Sequence, residues 1–240
     1  MKTFGALGVL FLLAACQAPT APDGRIVVAG DSVLAWNRSK AASVADHLER
    51  LLGVNIEDAS VSGARFTHPS AARGAIGFDI SRQLEGVQAD WVVMDGGANE
   101  FGSECTCGAC GRVLDQLVSA DGIRGEIPET VAKVRATGAR VLWALYYSAP
   151  REGGPFARCD ADFDTLEARI RAMAARDPGV LTYDMALALP EERTDLFDVD
   201  QVHPSVAGSR RIAAGLAEVL RAADPTLTAG RGLVPDAARP

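Results

Sequence analysis

Short apolar runs alternate with helix-periodic stretches about five times along this chain, and that alternation restricts its fold more than any other feature. Residues 25–29 (RIVVA) run apolar up to Gly30, and residues 90–95 (DWVVMD) run up to Gly96-Gly97. Residues 54–58, 139–146 and, more weakly, 180–183 have the same character. Runs that are apolar on both faces suit strands buried from both sides, which is the habit of parallel sheets. Helical spacing appears at 43–52, where Val44, Leu48, Leu51 and Leu52 share a face and Gly53 closes the segment. It recurs at 127–136, with Pro128 near the start and Gly138 beyond the end, at 164–175, and at 204–222 with Pro204 in the first turn. The pattern predicts one α/β domain over 25–223, a three-layer α/β/α sandwich around a parallel sheet of about five strands. Residues 224–240, rich in Pro, Gly and Ala, read as a flexible tail. In such sheets ligands bind beyond the carboxyl ends of the strands, so the residues just after each strand carry the functional question.

The chain has 240 residues, 48% of them hydrophobic, which suffices for one sizeable core. Against 24 Lys and Arg stand 31 Asp and Glu, a formal charge of -7, with no basic cluster, which argues against a nucleic-acid partner. At the N-terminus Lys2 precedes an apolar run from Phe4 to Ala15, too short to span a bilayer core that needs about 20 residues. Leu13-Ala14-Ala15-Cys16 reads as a cleavage site before a cysteine and resembles a bacterial lipoprotein box. That resemblance implies a signal peptide over 1–15, lipidation of Cys16, and a tether over 16–24. It also implies an exported, envelope-facing protein whose membrane contact is that lipid alone. Four further cysteines remain: Cys105, Cys107, Cys110 and Cys159. In an oxidising envelope they favour two disulfides of unspecified pairing; the rival is zinc, since Cys107 and Cys110 have ligand spacing.

Four strand ends hold chemistry. Gly30-Asp31-Ser32 follows the first run and sets a serine at a strand-to-helix turn, where it reads as a nucleophile or as a simple N-cap. Ala59 to Gly63 follows the second, and a glycine there lets the backbone offer an N–H to a ligand. Gly96-Gly97-Ala98-Asn99-Glu100 follows the third, with an amide in Asn99 able to meet an oxyanion. Asp200-Gln201-Val202-His203-Pro204 lies near the end, and a D-x-x-H-P string arises by chance in only about one such chain in a hundred. His203 can take a proton from a hydroxyl while Asp200 fixes its tautomer, with Asp195 and Asp198 as spare carboxylates. His68 after Gly63, Trp36 and Asn37 after Ser32, and Tyr146 and Tyr147 after the fourth run are candidates for lining the site. His47 sits on a helix and reads as a surface residue.

In that order these blocks resemble the SGNH (GDSL-type) hydrolase family, with residues 59–63 close to bacterial thioesterase/lysophospholipase-type members. The resemblance spans about 25–222 and implies a flavodoxin-like sandwich and a cofactor-free serine esterase. It assigns Ser32 as nucleophile, Asp200 and His203 as its partners, and Ser32, Gly63 and Asn99 as the oxyanion hole. Carboxylic esters, thioesters, lysophospholipids and acetylated sugars, small molecules or lipid and glycan esters alike, fall within its range. The other class left open is an envelope lipoprotein that uses the same crevice for binding only. Asp58 stands where many members have Asn, and Glu100 where the third block usually has Asp. The cysteine loop after Asn99 is also unusual for the family.

Overall fold

The computed structural model describes residues 25–148, 150, 156 and 158–227. The expected signal segment, Cys16, the tether and residues 228–240 lie outside the described residues.

Five parallel strands, β1 (Ile26–Ala29), β2 (Ile56–Asp58), β3 (Trp91–Met94), β4 (Arg140–Leu145) and β5 (Val180–Asp184), form one sheet in the order β2-β1-β3-β4-β5. Register pairs Ile26 with both Ile56 and Trp91, and Trp91 with Arg140. All four residues of β1 and of β3 are buried, as both-face apolar runs require. The chain moves outward from β1 to β2, then crosses back to place β3 on the other side of β1. That reversal opens a crevice at the carboxyl ends of β1 and β3, and the Gly30 and Gly96-Gly97 blocks stand there.

The helices, in chain order, are α1 (Ser32–Ala35), α2 (Val44–Leu52), α3 (Ala71–Arg73), α4 (Ile80–Gln83), α5 (Ala98–Glu100), α6 (Gly111–Leu117), α7 (Glu126–Ala136), α8 (Asp160–Ala174) and α9 (Val206–Ala223). α2 and α9 pack together, while α6 packs on both α7 and α8. The sheet lies between the layers, giving the expected three-layer sandwich. α2 has a capping box, Ser43 and Asp46 exchanging hydrogen bonds, and it ends on Gly53 in the left-handed region. α9 buries Ile212, Leu216 and Leu220 completely, and such side chains contribute about 1.5–3 kcal/mol each.

Three boundaries differ from the sequence reading. α8 begins at Asp160, four residues earlier than the apolar spacing indicates, because Asp160 and Asp162 favour the positive end of a helix whatever their hydrophobicity. α9 begins at Val206 rather than Pro204. Ser205 caps it by accepting from the Gly208 N–H, and Pro204 instead bridges to Phe197. The ordered domain also runs past 223. Leu227 is 1% exposed, and Asp224 accepts from the Trp91 indole N–H while pairing with Arg25. Helices α1 and α3 to α6 span seven residues or fewer and carry too little periodicity to be read from spacing.

The four cysteines form two disulfides, Cys105–Cys110 and Cys107–Cys159. The second ties the loop after α5 to the N-terminus of α8. With all four sulfurs paired, the thiolates that the zinc reading requires are consumed.

Glu100, at the end of α5, crosses to the chain after β2, where one carboxyl oxygen accepts the Phe66 N–H at 2.7 Å. Burial drives its pKa up to about 8, against the downward pull of the Phe66 N–H and its own backbone N–H. The folded protein therefore holds this proton at pH values where an unfolded glutamate, near 4.5, has lost it. Its contribution to stability is full below about pH 4.5 and is lost as pH rises through about 8. Urea unfolding of the wild type should weaken across that window by up to about 1.4 kcal/mol per pH unit more than that of Glu100→Gln. Parallel pH profiles for the two proteins would refute a protonated Glu100.

Candidate active site

β1 is followed by Gly30, whose φ of +140° and close approach to Asp95 leave no room for a Cβ. The Gln83 side chain holds this turn, accepting from the Gly30 N–H at 2.7 Å and donating to the Gly30 carbonyl at 3.0 Å. Asp31 then caps α1 by accepting the Val33 N–H at 3.0 Å, which makes Ser32 the first helical residue. The Ser32 hydroxyl so points away from the strand and into the crevice.

His203 reaches it from the loop before α9. Nε2 lies 2.8 Å from Ser32 Oγ, and Nδ1 lies 2.6 Å from Asp200 Oδ2. With Nδ1–H donating to the carboxylate, Nε2 is left as acceptor for the serine O–H. Asp200 also accepts the backbone N–H groups of Val202 and His203, both at 3.0 Å. Partial burial pushes its carboxyl up, but the His203 ring and these two N–H groups outweigh that and hold it below the usual carboxylate range. The loop is fastened elsewhere too. Tyr147 donates to the Val202 carbonyl at 2.7 Å, and the Asp198 N–H donates to the His203 carbonyl at 2.7 Å.

Beneath Ser32 lies a buried carboxylate pair. Asp31 Oδ2 accepts the Tyr146 hydroxyl at 2.6 Å and lies 3.4 Å from the Asn99 amide nitrogen. Asp95 accepts the Asp31 N–H at 2.8 Å. Burial, and then the neighbouring Asp31 charge, push the Asp95 carboxyl well above its ordinary value. Burial raises Asp31 as well, against the opposing hydrogen bonds from Tyr146 and Val33 and the attraction of His203.

Ser32 and Asn99 line one small cavity of about 30 Å³ together with Val33, Ala98, Tyr146, Phe156 and Phe163. Asn99 also donates to the Ala64 carbonyl at 2.9 Å. Gly63 is in the adjoining turn, with φ of +82°, and is not among the cavity-lining residues. That turn is nevertheless held to the site from both sides, because Val61 donates to the Gly30 carbonyl at 3.0 Å and Ala64 receives Asn99. Among the described residues, neither the Ser32 nor the Gly63 N–H has a hydrogen-bond partner.

The remaining candidates separate. Trp36 stacks on the His203 ring. Asn37 is structural, donating to the Pro204 carbonyl and to Ser209. His68 turns away, packs edge-on against Phe78 and does not line the cavity. His47 is half-buried on α2 beside Arg50. Asp195 pairs with Arg193, and Asp58 pairs with Arg38. Spacing offered no signal for Phe156, Phe163, Gln83 or Asp95, which reach the site only through the sheet order. Among the described residues no group of three or more His, Cys, Asp and Glu could hold a metal.

The sequence profile of the GDSL-like lipase/acylhydrolase family matches residues 28–211. No curated protein matches the chain. Among solved structures, a protein assigned to the SGNH hydrolases from Slackia heliotrinireducens is similar at 25% identity and a TM-score of 0.55. The alignment covers 84% of this chain and 100% of that one. Est24, a carbohydrate acetylesterase from Sinorhizobium meliloti, shares the fold at 16% identity and a TM-score of 0.52, over 82% of this chain and 98% of its own. TesA does so at 18% identity and a TM-score of 0.57, over 82% and 98%. The profile match encloses Ser32, Gly63, Asn99, Asp200 and His203, and the chain belongs to the GDSL-like lipase/acylhydrolase family as an SGNH-type ester hydrolase.

Proposed function

We propose that this protein is a serine esterase in which Ser32 attacks the acyl carbonyl while His203 Nε2 takes its proton. Asp200 holds the imidazole tautomer and stabilises the imidazolium that forms. The observation that carries this reading is the unbroken pair of hydrogen bonds from Ser32 through His203 to Asp200, at 2.8 and 2.6 Å. The oxyanion is met by the N–H groups of Ser32 and Gly63 and by the Asn99 amide, which swings from the Ala64 carbonyl. His203 then gives its proton to the departing alcohol or thiol, and a water, deprotonated in turn by His203, releases the acid.

The geometry favours a short acyl group. A cavity of about 30 Å³ holds two or three groups of water size, and Phe156, Phe163 and Tyr146 wall it. A larger and more polar groove of about 450 Å³, lined by Trp36, Arg38, Lys40, Ser62 and Asp198, adjoins the site through the Trp36 ring. It suits a hydroxylated leaving group, so the substrate class proposed is a short-chain, acetyl-type ester of a small molecule or glycan. Among the described residues no helix is long and apolar enough to cross a membrane. We also propose that residues 1–15 are removed and Cys16 lipidated, which would present the domain in the bacterial envelope.

Hydrolysis of p-nitrophenyl acetate tests the mechanism. Ser32→Ala should lose at least about a thousandfold in kcat, and Asn99→Ala about a hundred- to a thousandfold, both with wild-type melting. Turnover surviving in a folded Ser32→Ala would remove the nucleophile assignment. Along a series of p-nitrophenyl esters, kcat/KM should fall as the acyl chain lengthens, and Phe156→Ala should raise the longer esters relative to acetate. A rate that grows steadily to long chains in the wild type would contradict the short-acyl reading.

A further inference from the structure

Trp36 does more than border the crevice. Its ring lies on the His203 imidazole with centroids 3.7 Å apart and planes 6° apart, a full face-to-face stack. The indole is itself held, its Nε1–H donating to Asp198 Oδ2 at 2.8 Å. Asp198 belongs to the same loop as His203, and its backbone N–H donates to the His203 carbonyl at 2.7 Å. Its other carboxyl oxygen accepts the Val199 N–H at 2.8 Å. The contacts close a ring: imidazole to indole, indole to Asp198, Asp198 back to the His203 backbone. Asn37, next to Trp36, fastens the same junction by donating to the Pro204 carbonyl at 3.0 Å. The helix bearing Ser32 and the loop bearing His203 are 171 residues apart in sequence. Beside the Ser32–His203 hydrogen bond, Trp36 and Asn37 tie the two together, through the ring stack and through hydrogen bonds to Asp198 and Pro204.

We propose that Trp36, tethered by Asp198, is a positioning residue for His203. It sets the plane of the imidazole so that Nε2 faces Ser32, and it stabilises the imidazolium formed when the serine proton is taken. The proposal rests on the esterase reading above. Two hydrogen bonds fix where the imidazole nitrogens lie but leave the ring free to rock about the line joining them. A flat partner at van der Waals distance removes that freedom. The indole face is also electron-rich, so its attraction for the ring rises when the ring becomes cationic, which happens only along the reaction coordinate. A contact that strengthens toward the transition state affects kcat more than KM.

The test combines kinetics on p-nitrophenyl acetate with NMR of the His203 ring protons. An indole stacked on the imidazole shifts those protons upfield, and this readout needs no turnover. Trp36→Leu is expected to lose the upfield shift and about three- to thirtyfold in kcat, with KM little changed. Trp36→Phe, which keeps a flat ring, should recover most of kcat. Asp198→Ala, which frees the indole without removing it, should fall between wild type and Trp36→Leu, and Asp198→Asn, which keeps an acceptor, should rescue it. Wild-type kcat in a folded Trp36→Leu would overturn the proposal. So would a loss confined to KM, which would assign Trp36 to substrate binding in the polar groove. Should Trp36→Leu fail to fold, Asp198→Ala decides, and wild-type kcat with an unshifted ring resonance would sink the tether. If the wild type hydrolyses no ester, the esterase reading fails, and the ring-current shift still reports whether the indole holds the imidazole.

Discussion

The buried carboxylate of Asp31 is the joint on which the site is assembled. One oxygen caps α1 through the Val33 N–H, which makes Ser32 the first residue of the helix. The other receives the Tyr146 hydroxyl from the end of β4 and faces the Asn99 amide from α5. Its backbone N–H is taken by Asp95 at the end of β3. One residue thus links the ends of three adjacent strands, β1, β3 and β4, at the point where the strand order reverses. A carboxylate taken out of water costs several kcal/mol unless its lone pairs are filled, and the Tyr146, Val33 and Asn99 donors offset part of that cost. The raised pKa of Asp95 has the same origin, burial first and then the neighbouring charge of Asp31.

This joint explains why the proposed catalytic set can stand on loops and still be ordered. Ser32, Asn99 and His203 come from the segments after β1, after β3 and before α9. Each segment has an apolar anchor in the core, Leu34 after β1, Phe101 after β3 and Phe197 before α9, and polar contacts fix the turns themselves. The Ser32 turn is held by Gln83 and Asp95. The Asn99 turn is held by Glu100 reaching Phe66, and the His203 loop by Tyr147 at the end of β4. The Cys107–Cys159 bridge does for the cavity wall what these hydrogen bonds do for its floor. It binds the loop after α5 to the start of α8, the helix that carries Phe163.

Sequence alone discloses the parts of this arrangement that are local. The strand runs are continuous and apolar because both sheet faces are covered, so β1, β3 and β4 stand out. Asp200 and His203 are three residues apart, close enough for one loop to bring carboxylate and imidazole together. Ser32 and Asn99 occupy strand ends, which the alternation of elements already marks as functional. What spacing does not disclose is every contact that depends on sheet order. Asp31 meets Tyr146 across 115 residues and Trp36 meets Asp198 across 162. The onset of α8 escapes for a different reason, since its first turn is acidic and is stabilised by charge rather than by an apolar stripe.

The division between legible and hidden residues follows from their tasks. A group that reacts must have a particular chemistry, so its type is narrowly constrained and a short motif reports it. A group that supports needs only to deliver a donor, an acceptor or a flat face at a given point in space. Gln83 holds the Gly30 turn by mimicking a neighbouring strand, and other side chains from other directions could offer the same pair of bonds. Trp36 is the intermediate case. Its position four residues after Ser32 makes it a neighbour of the site, yet its alignment with the imidazole is set by Asp198 from the far end of the chain. The motif therefore points to the atoms proposed to react, and the sheet order tells how firmly they are held.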